Sequence, residues 1–358
     1  MQAGDRFCPN CGAATMAGGL QPAAEVNSGP SLSAMAMPKI PTQSPPAGQE
    51  AGSAGSGMAS AVAGSDSALL GAGDTELTLK LDRPTGVYAP GETIRASLKI
   101  VNHKDLNIRQ GRMELLMVEE FEYRSREYSP VSKTWESRTS WDKAKQIAGH
   151  WEFLGAMTLP AGFSRIFEHD FFIPQTAIPT AQGHITSCKW ILAATLDRKL
   201  AFDRKAENEI TVLSLAPGAA ASPGDFGTSN HPDQAKMSLS LRSREFVTGE
   251  KIAGNLQINP QKDFEVTEVR LELIRFESVP RDEGNRSSST KEVQLADKTN
   301  LQAGKALSFA FQIVLPAGGP VTMNTGNSSI SWGLRGVLAR PWHRDPIVEE
   351  AIFIYSGR

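Results

Sequence analysis

The last two thirds of this chain are written twice, and that repeat constrains its fold more than any other feature. Residues 86–100 read GVYAPGETIRASLKI and residues 246–258 read FVTGEKIAGNLQI. Phe246 stands against Tyr88, a shift of 246 − 88 = 158 that holds without a gap as far as Arg112-Met113-Glu114-Leu115 against Arg270-Leu271-Glu272-Leu273. Farther on, Leu159-x-Ala161-Gly162 matches Leu301-x-Ala303-Gly304, Pro174 matches Pro316, and Trp190 matches Trp332, all at a shift of 142. The one change of register, 158 − 142 = 16 residues, places a single insertion in the first copy between Glu122 and Leu159. Two diverged copies of one domain therefore lie in tandem.

Within each copy the apolar period is two, which predicts half-buried strands. Leu77, Leu79 and Leu81 alternate with polar residues, as do Ile94, Ala96, Leu98 and Ile100 and their counterparts Ile252, Gly254, Leu256 and Ile258. Trp190, Leu192, Ala194 and Leu196 match Trp332, Leu334, Gly336 and Leu338. Both shifts are even, so matched residues face the same side of their strands, as a shared core requires. Tyr88-Ala-Pro-Gly91 and Phe246-Val-Thr-Gly249 read as turns. One short segment, Asp142–Gly149, is expected as a possible helix. The fold class expected is all-β: two tandem antiparallel β-sandwiches.

Four zones separate by composition. Residues 1–15 hold the Cys8-Pro9-Asn10-Cys11-Gly12 motif, and residues 16–73 are nearly all Ala, Gly, Ser, Pro, Met and Gln, the composition of a disordered tether. A tether of this length has a root-mean-square span of roughly 40–45 Å. The repeats are read as 74–215 and 236–358, joined by a turn-rich linker over 216–235. With 37 basic and 39 acidic residues there is no chain-wide basic field, so nucleic acid is not the expected partner. Three cysteines are too few for a disulfide framework, and no apolar leader or membrane-length apolar run occurs. The expected location is cytoplasmic.

Three stretches resemble the arrestin-like superfamily, whose members join two related β-sandwiches through a short hinge. They are Val87-Tyr-Ala-Pro-Gly-Glu92-Thr-Ile94, Leu159-Pro-Ala-Gly162 followed by Phe167–Pro174, and Trp190-Ile-Leu-Ala-Ala-Thr-Leu-Asp-Arg198. Weaker versions recur at Phe246–Ile252, Leu301–Pro316 and Trp332–Arg340, in the same order. The resemblance covers about residues 74–356 and is carried by order and repetition more than by any one motif. Bacterial sporulation-control proteins and eukaryotic retromer subunits share this architecture. It implies tandem sandwiches that bind partners. Thr248 replaces the proline found at Pro90, and Ala339 stands where the first copy has Asp197.

Outside the matched positions lie the candidate functional residues. Cys8 and Cys11, two thiolates at knuckle spacing with Gly12 after them, suit tetrahedral zinc but supply only half of its ligands. The segment is similar to the second half of a bacterial zinc ribbon. Zinc is therefore expected only if an upstream segment or a second chain completes the site, the latter making a homodimer; a metal-free relic or a redox pair is the other reading. Cys188 matches Ile330 and reads as a buried apolar thiol. The insertion, read as Tyr123–His150, interleaves Arg124, Arg126, Arg138, Lys143 and Lys145 with Trp135 and Trp141. Such a set could grip an anionic or acidic partner through charge and cation–π contact, or could be a solvated hairpin whose tryptophans pack back onto the sandwich. His169, opposite Phe311 in the repeat, reads as a hydrogen-bonded or strand-edge residue, and Asp203 with Asp345 as turn caps. No phosphate loop, nucleophile elbow or acid–base cluster occurs, so no enzymatic activity is expected. The function read from this is a cytoplasmic adaptor for protein partners. The alternatives are a membrane-associated trafficking or stress protein acting through the insertion, and nucleic-acid binding through the ribbon.

Overall fold

The computed structural model describes residues 74–199, 201–218 and 222–357. Each copy contributes seven main strands. In the first copy these are β1 (Thr75–Leu81), β2 (Thr93–Asn102), β3 (Leu106–Ser129), β4 (Thr134–Leu154), β5 (Ser164–Phe172), β6 (Thr186–Arg198) and β7 (Arg204–Val212). In the second they are β8 (Ala235–Leu241), β9 (Lys251–Pro260), β10 (Glu268–Val279), β11 (Asn285–Ala296), β12 (Leu307–Val314), β13 (Ser329–Ala339) and β14 (Ile347–Tyr355). Every strand of the first copy has its counterpart seven numbers on.

The smaller sheet of the first copy runs β1-β2-β5 and its larger sheet β7-β6-β3-β4, all antiparallel; β8-β9-β12 and β14-β13-β10-β11 repeat this order. The core fills the space between paired sheets. Ile94, Ala96, Leu98 and Ile100 are fully buried along β2, while the residues between them are not. Ile252, Leu256 and Ile258 do the same along β9.

The twice-written turn has a physical reason. Gly91 and Gly249 sit at φ 84° and 82°, a left-handed conformation that glycine adopts at little cost. One residue later a carboxylate caps the turn: the Ala89 N–H donates to Glu92 Oε2 at 2.7 Å, and the Val247 N–H to Glu250 Oε2 at 2.8 Å. Arg83 holds Glu92 with two further bonds of 2.6 and 3.0 Å, and the Glu92 carboxyl lies below its ordinary range because of it. The tryptophans repeat equally closely. Trp190 Nε1 donates to the Ile178 carbonyl at 2.8 Å and Trp332 Nε1 to the Pro320 carbonyl at 3.1 Å, again 142 residues on.

Two expectations change. Asp142–Gly149 lies inside strand β4, not in a helix, because its residues, with Ala148 bulged out, pair with β3, Lys143 opposite Glu120 and Lys145 opposite Val118. Part of the stretch read as a linker, Gly224–Phe226 and Thr228–Ser229, forms two short strands that flank β8 and β14.

Candidate partner-binding site

Fifteen of the 16 extra residues form an arm. In the second copy Val279 pairs with Asn285 and residues 280–284 make a five-residue turn. In the first copy Phe121 pairs with Asp142, and the 20 residues 122–141 continue the hairpin outward; 20 − 5 = 15, and the bulge between Leu115 and Leu116 accounts for the sixteenth. Side chains on one face of the hairpin are Tyr128, Arg126 and Arg124 on β3 and Trp135, Trp141, Lys143 and Lys145 on β4. Trp135 is 64% exposed, Trp141 55% and Val131, at the tip, 94%. Tyr128 and Trp135 meet edge to face at 5.7 Å, which fixes the tip aromatics without hiding them.

The tryptophans of the arm therefore do not pack back onto the sandwich. Its charges, however, are largely matched within the chain. Arg126 bonds Glu283 at 2.8 Å, Arg138 meets Glu127 at 3.4 Å and Lys143 meets Glu120 at 2.6 Å. Among the described residues Arg124 and Lys145 have no ion pair. Of the seven residues singled out from sequence, Arg124, Arg126, Trp135, Arg138 and Trp141 lie on the arm and Lys143 and Lys145 just inside its root on the same hairpin, and Arg138 lies on the face opposite Trp135 and Trp141.

The second sandwich braces the arm at its root. Arg281 pairs with Asp142 while its guanidinium lies 4.3 Å from the Tyr123 ring centroid and 5.9 Å from that of Phe121. The Glu283 N–H donates to the Arg124 carbonyl, and Asn285 Nδ2 donates to Glu122 Oε1 at 3.0 Å. Hydrogen bonding from Arg281 holds the Asp142 carboxyl below the usual carboxylate range. A depressed carboxyl pKa stabilises the folded contact above its ordinary value and is lost as pH falls through the folded one. Arg281→Ala is expected to speed amide exchange across residues 122–142 about two- to five-fold at neutral pH. Acidification below the carboxylate range is expected to lower the protection of the same amides, taken relative to their intrinsic exchange rates at each pH, in the native chain but to lower it no further in the variant. Hydrogen–deuterium exchange read by mass spectrometry checks both.

Beside the brace, the two sandwiches meet across an approximate two-fold axis, within one compact unit. Glu119 and Glu277 are repeat-equivalents, 277 − 119 = 158, and each is buried in the loop of the other copy. Glu277 accepts the N–H groups of His184 at 2.7 Å and Ile185 at 2.8 Å. Arg275 Nε lies 3.0 Å away but off the hydrogen-bond direction, so it balances charge without satisfying the group. Glu119 accepts from Thr325 Oγ1, from Ser328 Oγ at 2.6 Å and from Asn327 Nδ2 at 2.8 Å. Thr186 bonds its own equivalent Ser328 at 2.5 Å, and the Ser214 N–H donates to the hydroxyl of its equivalent Ser356 at 2.7 Å. Glu119 reaches the second copy's loop as Glu277 reaches the equivalent loop of the first, and this reciprocity, with counterparts touching near the axis, gives the joint the form of an isologous dimer interface within one chain. The sequence alone does not reveal this joint. Its signal was present in the match of Glu119 with Glu277, but only structure shows which polar matches are buried.

Cys188 is fully buried and its thiol is pushed up to about 12, by burial first and by the Glu119 charge second, so it stays protonated. His169 is stacked on Trp151, rings 4.6 Å apart and 6° from parallel, on the edge strand β5. Asp203 and Asp345 accept the N–H groups of Arg198 and Arg340 at 3.1 and 2.8 Å, as turn caps. Cys8 and Cys11 lie outside the described residues.

With this geometry in place, the comparisons agree with it. The family model described as Arrestin (or S-antigen), C-terminal domain, matches residues 74–217, and the model described as SpoOM protein matches residues 232–346. A C-terminal arrestin domain model thus falls on the first sandwich, as two copies of one unit allow. The chain belongs to the arrestin-like superfamily. Its second sandwich carries the match to the sporulation-control type. No curated protein matches the chain. Among the described residues no helix is long and apolar enough to cross a membrane.

Proposed function

We propose that this chain is a non-catalytic cytoplasmic adaptor that holds a protein partner on the aromatic face of the β3–β4 arm. The carrying observation is the exposure of Trp135 and Trp141 on a rigidly braced hairpin. Large aromatic side chains left in water at a fixed spacing supply contact area at little entropic cost. Arrestin-like families are generally non-enzymatic, which supports a binding role. Because Arg126, Arg138 and Lys143 already have acidic partners, the aromatic groups carry recognition, with Arg124 and Lys145 adding preference for an acidic neighbour. The Cys8/Cys11 knuckle serves as a second contact on its tether.

A photo-crosslinking residue placed at Trp135 or Trp141 in the full chain, in cells, is expected to trap one discrete protein. The same residue at Trp342, fully exposed on the second sandwich, is expected not to. Identical products from both positions, or none from the arm, would overturn the proposal. Recovery of membrane lipid in place of protein would favour the membrane-associated alternative, which the arm's exposed apolar tip residues Tyr128, Val131 and Trp135 make specific.

A further inference from the structure

The larger sheet of the first sandwich ends on β4, and among the described residues no strand pairs with the outer edge of β4. From Trp135 to Ile147 this edge runs 13 residues, or roughly 43 Å. Open edges of that length are normally shortened, interrupted by proline or covered, because their free N–H and C=O groups template a further strand. This edge has no proline, and Trp135, Trp141 and Ile147 stand exposed along it. The equivalent edge strand β11 reads NRSSSTKEVQLA and carries no aromatic residue. The difference marks β4 as an edge made to be covered.

The sequence of β4 is complementary to itself. When two copies pair antiparallel about a two-fold axis normal to the sheet, residue i faces residue 2c − i on the same side, where c is the residue on the axis. Centring on Trp141 sets Trp141 against Trp141 and Trp135 against Ile147, with Lys143 opposite Thr139 and Lys145 opposite Ser137. On the other face Asp142 meets Ser140, Arg138 meets Ala144 and Glu136 meets Gln146. No like charges are opposed. Centring on Thr139 would oppose Asp142 to Glu136, and centring on Asp142 would oppose it to itself. Centring on Ser140 keeps charges apart but leaves Trp141 opposite Thr139 and Trp135 opposite Lys145. Only the Trp141 register both matches the apolar residues and separates the charges.

We propose that β4 is a homotypic edge: a second copy of this chain adds its own β4 antiparallel, with the two-fold axis through Trp141. The two larger sheets then become one continuous sheet, and the aromatic faces of two arms lie side by side as a single doubled surface. The proposal concerns self-association and stands whether or not a further protein docks on that surface.

The test uses the full chain with Cys8→Ser and Cys11→Ser, leaving Cys188 buried and protonated. Sedimentation equilibrium at tens of micromolar is expected to show a dimer, and Trp141→Lys, which opposes two lysines on the axis, to weaken it at least tenfold while circular dichroism is unchanged. Under mild oxidation Trp141→Cys is expected to crosslink to itself. Thr139→Cys and Lys143→Cys are not, since each faces a different residue. A monomeric chain, a dimer indifferent to Trp141→Lys, equal crosslinking at all three positions, or a dimer that disappears with the two N-terminal cysteines would each overturn the proposal.

Discussion

Replacing Glu277 by alanine is expected to destabilise the folded chain by about 2–5 kcal/mol, and to do more damage than the same change at its repeat-equivalent, Glu119. The two carboxylates look interchangeable by burial, and their partners decide the difference. Glu277 satisfies two backbone N–H groups, those of His184 and Ile185, which the loop geometry holds in place. With the carboxylate gone they have no other acceptor at hand, and Ile185 is itself buried. Glu119 instead satisfies two hydroxyls and a side-chain amide, groups that rotate to new partners. About 1–2 kcal/mol is expected for Glu119→Ala. The double variant is expected to cost less than the sum, because the Thr186–Ser328 bond couples both halves of the joint. Urea unfolding followed by tryptophan fluorescence and by far-ultraviolet circular dichroism measures all three. Equal losses for the two single variants would sink the distinction between fixed and rotatable donors.

The sandwich pair was legible because strand periodicity and turn chemistry are local, and a repeat shows them twice. Gly91 and Gly249 with their capping glutamates, Trp190 and Trp332 with their carbonyl acceptors, and the turn caps Asp203 and Asp345 all keep their spacing in the structure. The insertion was legible as an interruption, but not its limits. Lys143 and Lys145 belong to the strand that both copies share, and a bulge at Leu115/Leu116 hides one inserted residue inside the matched part. Its aromatic exposure was legible only as an alternative, since sequence alone does not say which way a long hairpin leans. The joint was the least legible part. Glu119 and Glu277 look like ordinary surface carboxylates on alternating strands, and their burial depends on contacts between residues up to 209 positions apart. The possible helix at Asp142–Gly149 failed because cross-strand pairing with β3 outweighs the weak helical preference of Asp-Lys-Ala-Lys.

Trp332→Ala is expected to cost about 3–5 kcal/mol and to unfold the second sandwich well before the first. The ring is almost fully buried in the second core among Leu271, Leu273 and Leu334, so its removal leaves a cavity that a β-sheet core closes poorly. A second consequence concerns the joint. The indole N–H holds the Pro320 carbonyl, and the segment that begins there carries Thr325, Asn327 and Ser328 to Glu119. Trp190 does the same for the segment running from Ile178 to His184 and Ile185, which meets Glu277. Each tryptophan thus fills its own core and anchors the loop that reaches the opposite copy. Trp332→Phe separates the two roles, since it keeps most of the buried area and removes the N–H. It is expected to cost about 1–2 kcal/mol and to reduce the further loss on adding Glu119→Ala, while leaving the loss from Glu277→Ala unchanged. If Trp332→Phe leaves the effect of Glu119→Ala at its full value, the tryptophan is a core residue only, and the loop is placed by its own contacts.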